Sequence, residues 1–298
     1  MLKISVAVTS FNGEENIPEL LISLKNQIRK PDEIIFADDA STDCTADIIE
    51  DFIKENELSS WKLIRNKENL GNAMNFRKAL SNSSGDVIFL CTQNDIWYED
   101  KIESISSLMA GNENIVAVNC AHEMIDTDGN DMVSDRLGET GSGQLRLSKT
   151  DLSALFNTNT FPCGTLAVRK EIADKYIRLS KCELKTAFEL ECVAAAMNGL
   201  YFYDAPLIRT RVCEGISDND PVRSAEFQLK AAKAILTVTG ADKFCLLCES
   251  RLNALKTRSF LRVLLLHLKR ESRKLFPLSV RFSDICYTLK SDKKPAKN

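Results

Sequence analysis

Four short polar clusters in the first hundred residues carry the side chains that could do chemistry. Carboxylates accept hydrogen bonds from the N–H and hydroxyl groups of a ligand, and they are the oxygen ligands that hard divalent cations prefer. Each cluster comes after a short apolar segment, so all four are expected at the ends of strands. The clusters are residues 9–12, 38–43, 69–72 and 92–95.

The segments around these clusters alternate between two hydrophobic periods. Apolar, β-branched runs typical of buried strands alternate with segments whose apolar residues recur at helical spacing. This alternation predicts an α/β fold with a mostly parallel, doubly wound, Rossmann-like sheet. Ligands bind at the carboxyl ends of such strands, so the four clusters are expected to converge on one edge. The predicted strands are 4–8, 33–37, 61–64 and 87–90, and the predicted helices are 17–24, 45–52 and 73–80.

The charge balance and the cysteines limit the class of protein. Lysine and arginine, 39 together, nearly balance 42 acidic residues, so a general nucleic-acid binder is not indicated. The ten cysteines show no framework spacing, and residues 1–9 are interpreted as a first strand rather than a secretory signal. We therefore expect reduced thiols and a cytoplasmic location.

Four ordered segments resemble family 2 glycosyltransferases with the GT-A fold, and most closely a bacterial rhamnosyltransferase-like subgroup. The resemblance covers roughly residues 1–218. It implies transfer of a sugar from a nucleoside diphosphate (UDP, GDP or dTDP) to a hydroxyl of a cell-envelope or polysaccharide acceptor, either a glycan or lipid-linked, with inversion. The matching segments are Val6 to Gly13, Ile34 to Thr45, Asn69 to Gly71, and Gly85 to Trp97.

The resemblance also divides the chain. It predicts a GT-A domain over residues 1–218, with a nucleotide-binding half (1–105) and an acceptor half (106–218). Within the acceptor half, further strands are predicted at 115–118 and 201–203, a turn into a strand at 161–168, a helix at 189–197 with Gly199 as its cap, and loops at 126–131 and 138–143. Residues 219–298 form a predicted helical extension, because long helical runs replace the alternation there.

The positions that match the family's donor site carry mainly polar side chains. Thr9 and Asp39 match family positions that contact the base and the ribose, and a carboxylate suits a ring N–H or a ribose hydroxyl. The predicted nucleotide-sugar site consists of Thr9, Phe11, Asn12, Asp39, Asn69, Gly71, Asn75, Asn94, Asp95, Arg209 and Arg211.

The family's metal-binding cluster is depleted here. Where the usual pattern is Asp-Gln-Asp-Asp-x-Trp, the chain has Thr92-Gln93-Asn94-Asp95-Ile96-Trp97, and Cys213 replaces a family histidine. Asp95 is the remaining candidate metal ligand, and weak binding of Mg²⁺ or Mn²⁺ is expected. Two readings stay open: Arg209 and Arg211 neutralise the diphosphate instead, or the domain has become a non-catalytic binding protein.

The family places an acidic catalytic base early in the helix that here spans residues 189–197. Glu189 is the candidate base and Glu191 is the reserve. The alternative is structural, because a glutamate in the first turn of a helix is favourable against the helix dipole.

The extension after residue 219 is basic and partly apolar. Its apolar run at 260–268 is much shorter than the about 20 residues that cross a bilayer. The basic helices either rest on an anionic membrane, which would make the protein peripheral on the inner face, or pack against the rest of the chain or a second copy. The basic residues are Lys256, Arg258, Arg262, Lys269, Arg270, Arg273, Lys274 and Arg281.

Overall fold

The computed structural model describes residues 1–132, 146–151, 161–180 and 185–211, and isolated positions at 155, 229, 248–250, 252–253, 255–256 and 266. The chain separates into two compact units, Met1–Thr150 with Thr160–Gly215, and Asp151–Asn159 with Ile216–Asn298. The predicted boundary at residue 218 and the predicted loop at 138–143 lie outside the described residues. Both stay predictions.

Strands and helices alternate in the first part of the first unit, as predicted. Each predicted element is present, and its observed ends lie within a few residues of the predicted ones. The elements are β1 (Ile4–Ser10), α1 (Ile17–Lys25), β2 (Glu33–Asp38), α2 (Thr45–Glu55), β3 (Trp61–Arg65), α3 (Asn72–Ser81) and β4 (Val87–Thr92).

The rest of the first unit mixes short strands and helices. Its elements are β5 (Asp95–Trp97), α4 (Lys101–Gly111), β6 (Ala117–Ile125), β7 (Leu147–Lys149), a 3₁₀ turn (Cys163–Thr165), β8 (Leu166–Arg169), α5 (Lys170–Leu179), α6 (Thr186–Ala196) and β9 (Leu200–Arg211). The strands β5 and β7 and the helices α4 and α5 were not predicted from the sequence.

One sheet joins these strands in the order β3-β2-β1-β4-β8-β6-β9-β5, and β7 pairs with β9. β3, β2, β1 and β4 are parallel, which confirms the predicted α/β class with its mostly parallel sheet. Ser10 pairs with Asp38 and Thr9 pairs with Thr92, so β1, β2 and β4 end at the same level. This register brings three of the four polar clusters to one edge.

Burial on both faces explains why these segments form a parallel sheet. All residues of β1 and β2 are buried, which is typical of strands covered by helices on both sides. Four apolar residues of α1 recur at helical spacing and are fully buried, each contributing about 2 kcal/mol. They are Ile17, Leu20, Leu21 and Leu24.

The end of α6 refines one sequence expectation, that Gly199 caps the helix. The N–H of Gly199 donates to the carbonyl of Ala194 (3.0 Å), so Gly199 does take part in the cap, but the residue with the positive φ, 59°, is Asn198. A Cβ on Gly199 would come within 2.6 Å of Val116 Cγ2. A glycine is therefore required here because the chain passes close to the segment before β6.

The second unit is helical at its described positions from 229 onward. Cys248, Leu252 and Leu255 follow each other at helical spacing and are buried. Among the residues that the structure describes, none of the helices combines the length and the apolar character needed to cross a membrane. The predicted membrane-surface role stays a prediction, because most of the basic residues on which it rests lie outside the described part.

Candidate functional site

A cleft of about 360 Å³ opens at the carboxyl ends of β1, β2 and β4. Seven of the eleven predicted nucleotide-sugar residues line it, namely Thr9, Phe11, Asp39, Asn69, Gly71, Asn75 and Asn94. Ser10, Asn72, Thr92 and Gln93 complete the lining. We call this the donor cleft.

Asp39 organises one wall of the donor cleft. Its carboxylate is 3% exposed and accepts hydrogen bonds from the backbone N–H groups of Leu70 (2.8 Å) and Gly71 (2.9 Å) and from Asn66 Nδ2 (2.9 Å). A carboxylate offers about four acceptor sites, so roughly one remains for a ligand. Asp39 therefore holds the loop before α3 in place and can still accept a bond from a ligand donor.

Two neighbours complete this wall. Asn66 Nδ2 also donates to Asn75 Oδ1 (3.0 Å), and Asn75 Nδ2 donates to the carbonyl of Ala37 (2.8 Å). Gly71 has a φ of 81°, a conformation that favours glycine, whereas a Cβ at this position would have no atom within 4 Å. Glycine is therefore required at the start of α3 by the backbone conformation and not by a lack of space. Sequence reasoning missed Asn66, which matches none of the quoted motifs.

Asn12 supports the donor cleft from behind its lining. Its side-chain Oδ1 accepts from the N–H of Thr42 (2.8 Å), and its own N–H donates to Ser41 Oγ (2.9 Å). These bonds tie the loop after β1 to the turn after β2. The structure thus places Asn12 beside the predicted site but not on its surface.

Gln93 holds the backbone of Phe11, which lines the donor cleft. The N–H of Phe11 donates to Gln93 Oε1 (2.7 Å), and Gln93 Nε2 donates to the carbonyl of Phe11 (3.0 Å). A Cβ at Gly13 would come within 2.4 Å of Gln93 Cδ, so only glycine leaves room for this amide. The Phe11 side chain is 44% exposed. The signal for Gln93 was present, because it is retained from the Asp-Gln-Asp-Asp pattern while its neighbours changed.

Asp95 faces the interior rather than the donor cleft. Asp95 is 1% exposed. Its Oδ2 accepts hydrogen bonds from the N–H (2.7 Å) and Oγ1 (3.0 Å) of Thr92, and its Oδ1 accepts one from Thr210 Oγ1 (3.2 Å). Burial raises the pKa of this carboxyl, and the bonds from Thr92 act in the opposite direction. The carboxylate therefore joins the ends of β4, β5 and β9.

The side chains present do not fit a Mg²⁺ or Mn²⁺ site of the expected kind. Thr92 and Asn94 are neutral, and Asp95 already uses both oxygens within the protein. Within the described ranges, no group of three or more histidine, cysteine, aspartate or glutamate residues is arranged to hold a metal ion. Cys213 lies outside those ranges.

A buried lysine, which belongs to the segment that resembles the family but was given no role from the sequence, lies near Asp95. Lys101 is fully buried, donates from Nζ to the carbonyl of Gly164, and lies 4.1 Å from the centre of the Trp97 ring. Its charge acts to lower the pKa of Asp95. The two buried groups therefore interact electrostatically at this corner of the sheet.

Replacing Asp95 by alanine is expected to lower the free energy of unfolding by about 3 kcal/mol, because a buried N–H and two hydroxyls lose their acceptor. Urea denaturation measures this, with the exposed Asp100→Ala as the control. The loss is expected to be the same with and without Mn²⁺. If Asp95→Ala kept the wild-type stability but no longer bound Mn²⁺, Asp95 would instead be a metal ligand.

Arg209 and Arg211 lie outside the donor cleft. Arg209 Nη2 donates to Asp131 Oδ1 (2.6 Å), and Arg211 Nη2 pairs with Glu19 on α1. Both line a second cleft. Of the residues that line the donor cleft, Asp39 alone is ionisable. The proposed neutralisation of a diphosphate by the two arginines stays a prediction, and each already has an acidic partner.

Both candidate bases lie on α6, away from the lining of the donor cleft. Glu189 is 5% and Glu191 is 3% exposed. Glu191 Oε1 accepts from Asn119 Nδ2 (2.8 Å), and Asn119 Oδ1 accepts from Thr165 Oγ1 (2.9 Å). Burial raises the pKa of Glu191 to about 8, partly opposed by the Asn119 bond. A carboxyl that is protonated at neutral pH cannot take up a proton, so Glu191 does not suit the role of the base, and the assignment of Glu189 stays a prediction.

This raised pKa predicts a pH-dependent stability. The unfolded chain loses the Glu191 proton above an ordinary pKa of 4.5, whereas the folded protein keeps it to about pH 8. Unfolding is therefore favoured by rising pH in that window, by about 1 kcal/mol per pH unit. Glu191→Gln cannot titrate, so its free energy of unfolding is expected to fall less between pH 5 and 8 in urea denaturation. Parallel curves for the two proteins would show that Glu191 is ionised in the fold.

Known proteins share sequence with the chain. Residues 5–177 match the family model described as Glycosyl transferase family 2. An uncharacterised glycosyltransferase of Nostoc sp. is 24% identical over 178 residues, which cover 58% of this chain and 53% of the relative. The putative teichuronic acid biosynthesis glycosyltransferase TuaG of Bacillus subtilis is 32% identical over 100 residues, or 34% of this chain and 39% of the relative. The chain thus spans about half the length, or less, of these two relatives.

Solved structures share the fold. TarS 1–349 of S. aureus in complex with UDP has a TM-score of 0.64 at 18% identity, covering 99% of this chain and 93% of that chain. The mannosyltransferase PcManGT of Pyrobaculum calidifontis, in complex with GDP-Man and Mn²⁺, has a TM-score of 0.56 at 17% identity, covering 98% and 88%. These likenesses show a GT-A fold.

Proposed function

The chain belongs to glycosyl transferase family 2, and from this we propose that it transfers a sugar from a nucleoside diphosphate to a cell-envelope or polysaccharide acceptor. The resemblance stated from the motifs is thereby confirmed at the level of the family. The observation that carries the proposal is the donor cleft, because it gathers seven separately predicted residues at the ends of three parallel strands.

The nucleoside is proposed to enter between Phe11 and the Asp39 wall. The exposed Phe11 ring offers a stacking surface for a base, and aromatic stacking tolerates different bases. The remaining acceptor site of Asp39 suits a ring N–H or a ribose hydroxyl. UDP, GDP and dTDP donors remain the candidates; support comes from TarS and PcManGT, which bind UDP and GDP-Man respectively.

The diphosphate is proposed to be held by neutral donors. Gly71 lines the cleft and precedes the first turn of α3. Its own N–H already donates to Asp39, so the N–H groups of the first turn that follows it are the ones proposed to attract the anion. Asn72 and Asn94 add amide groups. This arrangement supplies hydrogen bonds without requiring a metal ion beside Asp95.

Transfer is proposed to follow the inverting route. An acceptor hydroxyl attacks the anomeric carbon, Glu189 takes up the hydroxyl proton, and the nucleoside diphosphate leaves with the bonding electron pair. The new glycosidic bond forms as the bond from sugar to phosphate breaks. Glu191, protonated and bonded to Asn119, holds α6 against β6 instead.

A second function is a binding protein without turnover. The neutral Thr92 and Asn94 at the family's carboxylate positions favour it, as does the burial of both glutamates. The two functions differ in one observable quantity. A transferase releases free nucleoside diphosphate from its donor, whereas a binding protein retains the donor intact.

Release of nucleoside diphosphate from a panel of UDP-, GDP- and dTDP-sugars therefore tests the proposal. We expect release from at least one donor, and we expect Glu189→Gln to abolish it. Binding of a donor with no release, in the presence of candidate acceptors, would favour the binding protein. Failure of every nucleotide to bind would overturn the transferase and favour a non-catalytic protein that binds a glycan or a partner instead.

We also propose that the protein works on the cytoplasmic side, with its basic extension at the inner face of the membrane. The basic side chains between residues 256 and 281 support this, because anionic lipids attract such clusters. Flotation of the full chain with anionic vesicles tests this membrane contact. Absence of the chain from the vesicle fraction would show that the contact does not form.

A further inference from the structure

Three hydrogen-bonded side chains lie in a row behind the Asp39 wall of the donor cleft. Lys78 Nζ donates to Asn66 Oδ1 (2.7 Å), and Asn66 Nδ2 donates to Asp39 Oδ1 (2.9 Å). Lys78 lies on α3, and Asn66 directly follows β3. Asp39 lines the donor cleft, whereas Lys78 and Asn66 do not. These two residues therefore act on a ligand in the cleft through Asp39 and not by contact.

The direction of the Asn66 amide is fixed by its partners on both sides. Asn66 is 7% exposed, and its Nδ2 donates to Asn75 Oδ1 (3.0 Å) as well as to Asp39. The Asn75 amide is itself held, because its Nδ2 donates to the carbonyl of Ala37 (2.8 Å). An ammonium group can only donate, so Lys78 requires the oxygen of Asn66 on its side. All of these contacts require the same orientation of the Asn66 amide.

The charge of Lys78 acts on Asp39 through this amide. Within the part of the chain that the structure describes, no carboxylate is paired directly with Lys78. A cation at the oxygen of an amide polarises the group and makes its N–H a stronger donor. A bond from that N–H to an ionised carboxylate is strengthened further by the negative charge. Each bond of the row therefore strengthens the next.

This row determines which oxygen of Asp39 is left for a ligand. Oδ1 accepts from Asn66 Nδ2 and from the N–H of Leu70 (2.8 Å), which uses both of its acceptor sites. Among the described residues, Oδ2 accepts only from the N–H of Gly71 (2.9 Å). One acceptor site on Oδ2 therefore stays available. A carboxylate that turned or shifted would move this site away from the ligand.

We propose that Lys78 is a positioning residue of the donor cleft. Through the amide of Asn66, it holds the Asp39 carboxylate in the direction that presents Oδ2 to the nucleoside. The row of hydrogen bonds depends on the geometry alone. Its effect on nucleoside affinity rests on the proposed function, which assigns a nucleotide to the donor cleft.

Calorimetric titration of the full chain with UDP, GDP and dTDP, and NMR titration with the corresponding nucleosides, test the proposal. Lys78→Met keeps the apolar stem and removes the donor, and we expect it to weaken the nucleotide that binds best by about tenfold. We expect a similar factor for the nucleoside, because the change acts on Asp39 and not on the phosphates. Lys78→Arg retains a cationic donor and is expected to bind within about threefold of the wild type.

The matched control is Lys67→Met. Lys67 is exposed and follows Asn66 directly in the chain, so this variant loses the same charge nearby without breaking the row. Its affinity for nucleotide and nucleoside is expected to match the wild type. Equal losses in Lys67→Met and Lys78→Met would show a general effect of charge and would overturn the positioning role.

Two further measurements separate positioning from a general effect on stability. If Lys78 acts through Asn66, adding Lys78→Met to Asn66→Ala lowers the affinity no further than Asn66→Ala alone. Amide hydrogen exchange needs no ligand. It is expected to be faster at Leu70 and Gly71 in Lys78→Met than in Lys67→Met, because both N–H groups donate to Asp39.

The outcomes separate this inference from the proposed function. Lower stability of Lys78→Met with wild-type nucleoside affinity and wild-type exchange at Leu70 and Gly71 would overturn the positioning role. Additive losses in the double variant, or weaker binding of the diphosphate but not of the nucleoside, would also overturn it. If the wild type bound no nucleotide, the proposed function would fail, and the exchange rates at the two amides would still decide whether Lys78 positions Asp39.

Discussion

Asp39→Ala is expected to weaken nucleotide binding about 100-fold and to lower the free energy of unfolding by about 3 kcal/mol. The carboxylate accepts from two backbone N–H groups and one amide, and alanine leaves all three without an acceptor. The loop before α3 then loses its anchor, so the cleft loses both a ligand acceptor and its wall.

Calorimetric titration with UDP, GDP and dTDP and urea denaturation measure the two effects. Circular dichroism at the titration temperature confirms that the variant is folded. Asp39→Asn retains one carbonyl oxygen and is expected to give an intermediate loss. Asp51→Asn, an exposed position on α2, is expected to match the wild type. If Asp39→Ala bound the nucleotides with wild-type affinity, Asp39 would not be part of the nucleotide-binding site.

Glu189→Gln is expected to lower kcat by about 10²–10⁴-fold, the range typical of a lost general base. Glutamine keeps the size of the side chain but cannot accept the acceptor hydroxyl's proton. Nucleotide affinity is expected to stay unchanged, because Glu189 does not line the donor cleft. Steady-state transfer kinetics and calorimetry with the same donor separate these quantities.

Glu191→Gln is the matched control, two residues along the same helix. Because the raised pKa keeps Glu191 protonated at pH 7, glutamine reproduces its hydrogen-bonding shape and little activity should be lost. If Glu191→Gln were inactive and Glu189→Gln active, Glu191 would be the base and Glu189 would have the structural role. Full activity of both variants would place the base elsewhere.

The parallel half of the sheet was predictable because local patterns decide it. Apolar runs such as β1 and β2 are buried on both faces. In α1 the buried apolar residues recur at helical spacing, which distinguishes this segment from a strand. β5 was missed because its three residues pair with β9, more than a hundred positions later. No local pattern specifies such a pairing.

The donor cleft was largely predictable for a related reason. Its residues follow strands whose parallel register brings their ends together, so sequence position fixes spatial position. The position of Gln93 follows from the same register, but its two bonds to the backbone of Phe11 do not, because they depend on the direction of its side chain. The buried Lys101 depends in the same way on Gly164.

The directions of charged side chains were the least predictable feature. Arg209 and Arg211 alternate with Thr210 along β9, so period-two geometry places them on one face, opposite Thr210. It does not say which face meets the donor cleft. The structure turns Thr210 towards Asp95 and both arginines towards the second cleft.

One titration tests the central claim, that the donor cleft binds a nucleoside diphosphate without a metal ion beside Asp95. The nucleotide that binds best among UDP, GDP and dTDP is titrated by calorimetry into the full chain, once with EDTA and once with Mn²⁺. We expect dissociation constants that agree within about twofold, a difference of less than about 0.5 kcal/mol. Binding that appears only with Mn²⁺ and disappears in Asp95→Ala would contradict the claim.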